Sequence, residues 1–257
     1  MKLLSLNIWG ATKKAELFAF LTEQAKSTDF FCFQEVLDAP EQVAATESRG
    51  IRVHLFRELQ TLLPDFQGFF APSHSGYDFE GPVDFDLAEG LAIFAKRGFN
   101  AADHQHNFIA SEQVYLVKRN VILQQLNITH GEKQFSLFNF HGVSQPGDKL
   151  DTPERLEQSA KVKKIIDSVA GPKVLCGDFN LMPQTRSITV LENGLKNLIK
   201  DFQIKSTRNT LSQAMYPGDP QHFADYVFVS PDVEVKSFKV PYNEVSDHLP
   251  MVLVFSL

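Results

Sequence analysis

Four apolar runs constrain this chain more than anything else in it: LLSLN (Leu3–Asn7), FFCFQE (Phe30–Glu35), FSLFNFH (Phe135–His141) and KVLCGDFN (Lys173–Asn180). Each is short and almost uniformly apolar, which reads as a strand covered on both faces. Each also ends in a polar or ionisable residue: Asn7, Glu35, His141, and Asp178 with Asn180. A fifth piece, Ser246-Asp247-His248, precedes the apolar run Met251–Phe255. In a fold of packed sheets, strand ends far apart in sequence can meet at one place.

The rest of the chain alternates strands with helices. Lys13–Ala25 reads as an amphipathic helix, with Phe18, Leu21 and Ala25 on one side. Pro40–Leu63 is expected to be helical and to stop near Pro64, and Ser73–Ala88 to be a Gly-, Asp- and aromatic-rich loop. Leu91–Ala95, Asn120–Thr129 and Gln134–Phe140 read as strands, the last two joined by a hairpin at His130-Gly131-Glu132-Lys133. Thr152-Pro153-Glu154 opens a helix to Val169, with Pro at its first position. Lys173–Cys176, Tyr226–Val229, Val233–Val240 and Met251–Phe255 complete the strands. The pattern predicts an α/β (α+β) chain with sheets covered on both sides. No linker or repeat divides its 257 residues, so one domain over 1–257 is expected. The 23 Phe residues are core filling for such sheets.

Composition excludes several classes. Cys32 and Cys176 sit inside apolar runs with nothing polar beside them, so they read as buried reduced thiols. The start, MKLLSLNIWG, has too short an apolar stretch for a signal peptide. No run approaches the ~20 apolar residues of a membrane span. A cytoplasmic monomer is the expectation. The net charge of -6 argues against a dedicated duplex binder, which would present a basic surface. Lys161, Lys163 and Lys164 read as a solvated helix face.

Asn7, Glu35, Asp178, Asn180, Asp247 and His248 are the types needed to hold a hard divalent cation and attack a phosphate. Glu35 follows an apolar run, where a charge is costly unless paired or bound to metal. Asp178 and Asn180 lie two apart on extended chain, pointing the same way, which suits holding one water; the lesser alternative is a simple Gly-Asp-Phe-Asn turn. Asp225 and Asp247, taken alone, could be turn residues.

In order and spacing, LSLNIWG, FQEV, EGLAIFAKR, NFHGV, LCGDFN, ADYVFVS and SDHLPMVLVF resemble the endonuclease/exonuclease/phosphatase superfamily, the deoxyribonuclease I-like metal-dependent phosphoesterases. The resemblance implies a four-layer sandwich of two packed mixed sheets flanked by helices. It implies Mg²⁺, with Mn²⁺ able to substitute, held by Glu35 with Asn7 and Asp247. Asp178 and Asn180 would then activate and orient the nucleophilic water. His248 and His141 would bind the phosphate together with Asn7 and Asn180, and His141 as an imidazolium would protonate the leaving oxygen. Asp225 would fix the tautomer of His248. Glu89 matches a carboxylate that pairs with His141 in one branch, or is a surface Glu at a strand start. His54, His74, His104, His106, His130 and His222 carry no family role. Arg155 either faces the cleft or makes a surface salt bridge.

Branch-specific residues narrow the reading. Trp9 stands where abasic-site endonucleases carry Asp, and Leu37 where deoxyribonuclease I relatives carry an Arg that grips the minor groove. The expected activity is Mg²⁺-dependent hydrolysis, by a phosphodiesterase or phosphatase, of a small-molecule, lipid-linked or nucleotide-end phosphoester. The alternative is a nuclease on RNA or on single-stranded or damaged DNA, and a non-catalytic binding protein on the same scaffold is more remote. Selectivity would lie in the loops Pro72–Ala88, Gly142–Thr152 and Lys205–His222.

Overall fold

The computed structural model describes residues 1–114, 117–215 and 221–257. Its strands are β1 Lys2–Asn7, β2 Phe30–Asp38, β3 Glu47–Ser48, β4 Ile51–Arg52, β5 Phe66–Ser75, β6 Tyr77–Asp78, β7 Gly81–Pro82 and β8 Ala88–Lys96. They continue as β9 Asn100–Val114, β10 Val117–His130, β11 Lys133–His141, β12 Lys173–Asp178, β13 Lys196–Asn197, β14 Asp225–Val229, β15 Glu234–Lys239 and β16 Met251–Ser256. The helices are α1 Lys14–Ala25, α2 Leu55–Leu62, α3 Pro153–Ser168, α4 Arg186–Glu192, α5 Leu198–Asp201 and α6 Thr210–Met215.

Two six-stranded mixed sheets form, ordered β15-β16-β1-β2-β8-β5 and β13-β14-β12-β11-β10-β9. Strand alternation fills both faces of the first. Leu3, Phe30 and Cys32 point into the space between the sheets. Leu4, Leu6, Phe31 and Phe33 point outward under Leu17 and Leu21 of α1 and Leu55 and Leu59 of α2. Val162 and Ile166 of α3, with Ile188 and Leu191 of α4, cover the second sheet. Helix, sheet, sheet, helix is the four-layer arrangement expected. Edge-to-face rings cross the middle, Phe30 on Phe135 at 5.5 Å and Phe135 on Phe255 at 5.6 Å. Cys32 and Cys176 are both free and buried.

Each sheet has a parallel pair at its centre, β1 with β2 and β11 with β12. Their registers put Asn7 beside Gln34, and line up His141, Asp178 and Asp225 across three strands. A buried polar knot ties the sheets together beneath these ends. Gln34 Nε2 donates to Asn139 Oδ1 at 2.6 Å, and Asn139 Nδ2 donates to Phe33 O at 3.0 Å and Gln124 Oε1 at 3.2 Å. Such a network favours one register over its neighbours.

Three sequence expectations fail. Pro40–Leu63 is helical only over Leu55–Leu62; upstream, Arg49 and Gly50 take positive φ and turn β3 into β4. The expected loop Ser73–Ala88 contains the end of β5 and the β6–β7 hairpin. The long strand β9 has no counterpart in the reading, because it is an edge strand with a bulged register and mostly polar residues. Of the loop expected over Lys205–His222, residues 216–220 lie outside the described residues.

Candidate active site

The C-terminal ends of the two parallel pairs meet in a cleft of about 610 Å³, lined by Glu35, Glu89, His141, Asp178, Asn180, Asp247 and His248 among others. Three local devices aim these residues. Strand β2 bulges against β8 between Phe33 and Val36, and Glu35 takes φ of 56° there, turning its carboxylate out of the sheet. Trp9, Gly10 and Ala11 all adopt positive φ, so the chain doubles back after Asn7 and Trp9 reaches the cleft. Gly177 has φ of 139°, and a Cβ there would meet Phe140 O at 2.0 Å, so only glycine lets β12 pass β11 this closely. Asn180, also at positive φ, donates its backbone N–H to Asp178 Oδ1 at 2.9 Å.

Asp178 stands at the centre. Asn7 Nδ2 donates both to Glu35 Oε1 at 2.8 Å and to Asp178 Oδ2 at 3.1 Å. His248 Nε2 lies 3.6 Å and His141 Nε2 3.7 Å from the same Oδ2. Burial alone would raise the Asp178 pKa, but His248, His141, Lys149 and Arg208 overcome it and hold the group well below the carboxylate range. Both Asp225 oxygens lie 2.9 Å from His248 Nδ1, the pairing expected from sequence. Burial and Arg208 lower the His248 pKa; Asp225, Asp247 and Asp178 outweigh them, and the net shift is upward.

His141 behaves differently. Arg119 Nη2 donates to its Nδ1 at 2.7 Å, which assigns the ring proton to Nε2, facing the cleft. Burial first, then Arg119, pushes its pKa down to about 3. A neutral imidazole replaces the imidazolium expected from sequence. Glu89 is not its partner either: Glu89 Oε2 pairs with His74 Nε2 at 3.3 Å, so His74 belongs to this site after all. Asp247 Oδ2 forms an ion pair with Arg208 Nη2 at 3.4 Å. Leu37 is fully buried in an apolar cluster with Ile51 and Val53, away from any groove.

Sequence reasoning missed Arg119, Lys149 and Arg208, all cleft-lining. Lys149 Nζ donates to Asn180 Oδ1 at 2.5 Å, and burial pushes its pKa down to about 8, against the pull of Asp178. Arg208 Nη1 rests against His248 Nε2. Lys149 and Arg208 are isolated basic residues in polar stretches, and Arg119 stands beside Lys118 within a strand, so no local pattern marks any of them. Arg155 does not line the cleft; it is fully buried, and of its two expected roles it keeps the salt bridge, to the exposed Asp148 at 3.3 Å. Its guanidinium staples the loop before α3, donating to Ser144 O at 3.1 Å, Pro146 O at 2.5 Å and Leu150 O at 2.7 Å.

The carboxylates fit a hard divalent cation: Glu35 and Asp178 face one cleft, bridged by Asn7 Nδ2 at 2.8 and 3.1 Å, with Asp247 beside them, whereas His141, protonated at Nε2, is no ligand. Among the described residues no Lys or Arg pairs with Glu35. Burial, then Glu89 and Asp247, push its pKa up to about 7, despite Asn7 and His248. A carboxylate this short of positive charge is where an oxygen-seeking cation is wanted.

Comparisons with known proteins agree with this geometry. The UPF0294 protein VP2298 of Vibrio parahaemolyticus is 23% identical over 151 residues, 58% of this chain; the chain spans only half (50%) of that relative's length. The solved endonuclease/exonuclease/phosphatase from Beutenbergia cavernae superposes with a TM-score of 0.75 at 19% identity, covering 100% of this chain and 71% of its own. The mannosyl-6-phosphatase Bt3783 of Bacteroides thetaiotaomicron gives a TM-score of 0.69 at 16% identity, with 100% of both chains covered. No helix among the described residues is long and apolar enough to cross a membrane. The profile of the Endonuclease/Exonuclease/phosphatase family matches residues 4–248, nearly the whole chain, and the protein therefore belongs to that family of phosphoester hydrolases.

Proposed function

We propose that this protein is a divalent-cation-dependent hydrolase of a small or lipid-linked phosphoester, with Mg²⁺ as its ion and Mn²⁺ able to substitute. The observation that carries this reading is the convergence of Asn7, His141, Asn180 and His248 on Asp178, beside the charge-starved Glu35. We also take residues 1–257 as one domain, since the site draws on both sheets.

Glu35, with Asn7 and Asp247, would hold the cation; few protein carboxylates suffice for Mg²⁺. When bound, the ion neutralises charge on the phosphoryl oxygens. The remaining steps belong to side chains. Asp178 takes the proton of the attacking water, and Asn180 orients that water or the phosphate. Its low pKa keeps Asp178 ionised throughout the neutral range. His141 donates its Nε2–H to a phosphoryl oxygen without changing charge. His248, oriented by Asp225, contacts the phosphate and holds a proton for the leaving oxygen. Glu89 acts through His74 as a positioning residue on the cleft wall.

A nuclease on RNA or on single-stranded or damaged DNA would use the same chemistry. A cleft of about 610 Å³ is the size of a small-molecule site and favours the smaller substrate. A panel of generic diesters and monoesters, oligonucleotides, sphingomyelin and inositol phosphates tests the reading. Mg²⁺-dependent release of product from at least one small ester, stopped by a chelator and restored by Mg²⁺, is expected. Turnover that ignores the chelator would sink it.

A further inference from the structure

Three cations outside the recognised motifs crowd the cleft. Arg119 comes from β10, Lys149 from the loop after β11, and Arg208 from the segment before α6. All are largely withdrawn from water: the side chains of Arg119 and Arg208 are 13% and 5% exposed, and Lys149 is 5% exposed. Each stands one side chain away from Asp178, through His141, Asn180 and His248 respectively. Burying a cation is costly unless an anion meets it; Glu112 meets Arg119 and Asp247 meets Arg208, each at 3.4 Å, while among the described residues no carboxylate pairs with Lys149.

A diester phosphoryl group has two non-bridging oxygens sharing one negative charge. A monoester has three, carrying nearly two. His141 and His248 already supply donors for two oxygens. Lys149, flanked by Arg119 and Arg208, suits the third oxygen and the second charge.

Hydrogen bonds tie both walls of the cleft to the fold around them. Asp78 pins the β6–β7 hairpin, accepting from Ser48 Oγ at 2.7 Å, Arg49 Nε at 2.7 Å and the Glu80 N–H at 2.9 Å. That hairpin turns Tyr77 and Phe79 to the cleft. On the other side, Arg155 and Glu112 fix the loop that carries Lys149, Glu112 Oε2 accepting from the Ser144 N–H at 2.8 Å.

We propose that the cleft is a receptor for small phosphomonoesters, in which Arg119, Lys149 and Arg208 hold the terminal phosphate dianion and Tyr77 and Phe79 face the leaving group. This rests on the phosphoester-hydrolase reading. The bond from phosphorus to the leaving oxygen breaks as water's oxygen bonds to phosphorus. One water proton ends on the leaving oxygen, giving an alcohol and inorganic phosphate.

The test is calorimetric binding to the Mg²⁺-saturated protein at pH 8, comparing inorganic phosphate with dimethyl phosphate. Phosphate is expected to bind at least about tenfold tighter, as charge-assisted contacts allow. Lys149→Gln and Arg208→Gln should each erase most of that preference, and Lys149→Arg should keep it. The wild-type comparison decides even where a variant misfolds: equal affinities would overturn the proposal. Turnover separates the two readings. Mg²⁺-dependent hydrolysis of bis(4-nitrophenyl) phosphate but not 4-nitrophenyl phosphate rejects the monoester receptor and leaves the hydrolase standing. Hydrolysis of no ester in the wider panel rejects the hydrolase itself.

Discussion

Replacing Glu35 by Gln should make the metal-free protein more stable while removing its cation. Glu35 moves from an ordinary 4.5 to about 7 in the fold, first through burial and then through Glu89 and Asp247. Between those two values the native state binds a proton that the unfolded chain has released. Stability therefore falls as pH rises from 4.5 to 7, and above 7 the native state carries the full penalty. At about 1.4 kcal/mol per pH unit the undiscounted penalty is somewhat above ~3 kcal/mol. One-fifth of the side chain is open to the cleft, so about 2 kcal/mol is the better expectation. Gln keeps an acceptor for Asn7 and loses the charge. In chelator at pH 8, Glu35→Gln should gain about 2 kcal/mol by denaturant titration, or ~4–8 °C in Tm for a chain this size. At pH 4 the two proteins should converge. Mg²⁺ affinity of the wild type should fall about tenfold per unit below pH 7, because the bound cation displaces that proton. Equal stabilities at pH 8, or Mg²⁺ binding retained in Glu35→Gln, would refute the reasoning.

Other consequences are as direct. Asp225→Asn leaves His248 without its anionic partner at 2.9 Å and should lower turnover about 10²-fold or more with the fold intact, by steady-state kinetics and circular dichroism. Gly177→Ala puts a methyl 2.0 Å from a backbone carbonyl at a left-handed φ, so a loss above ~4 kcal/mol or failure to fold is expected, read by soluble yield and denaturation. Supercoiled plasmid should persist with catalytic amounts of enzyme in Mg²⁺; rapid relaxation, lost in Asp178→Ala, would move the nuclease reading to first place.

The strand ends that build the site were legible because burial on both faces forces uniform apolar runs, and a polar residue closing such a run stands out. Asn7, Glu35, His141 and Asp178 all carry that signature. The cleft walls were not legible. Strand β5 contains Pro72 and β9 is polar along an edge, so neither shows a strand period. Arg155 looked ambiguous because a helix start says nothing about the carbonyls of a preceding loop that curls around it. Arg119 fixes the tautomer of His141 across 22 positions of sequence, and Arg208 reaches His248 across 40. Such contacts follow from tertiary placement alone, and they alter the chemistry expected of each histidine.

The most direct test of the account is the turnover of Asp178→Asn beside wild type, in saturating Mg²⁺, on whichever ester the panel identifies. With its water-activating carboxylate gone, the variant should lose at least about 10²-fold in kcat while its unfolding midpoint and Mg²⁺ affinity stay within a few-fold of wild type. Turnover close to wild type in the folded, Mg²⁺-bound variant would contradict the account at its centre.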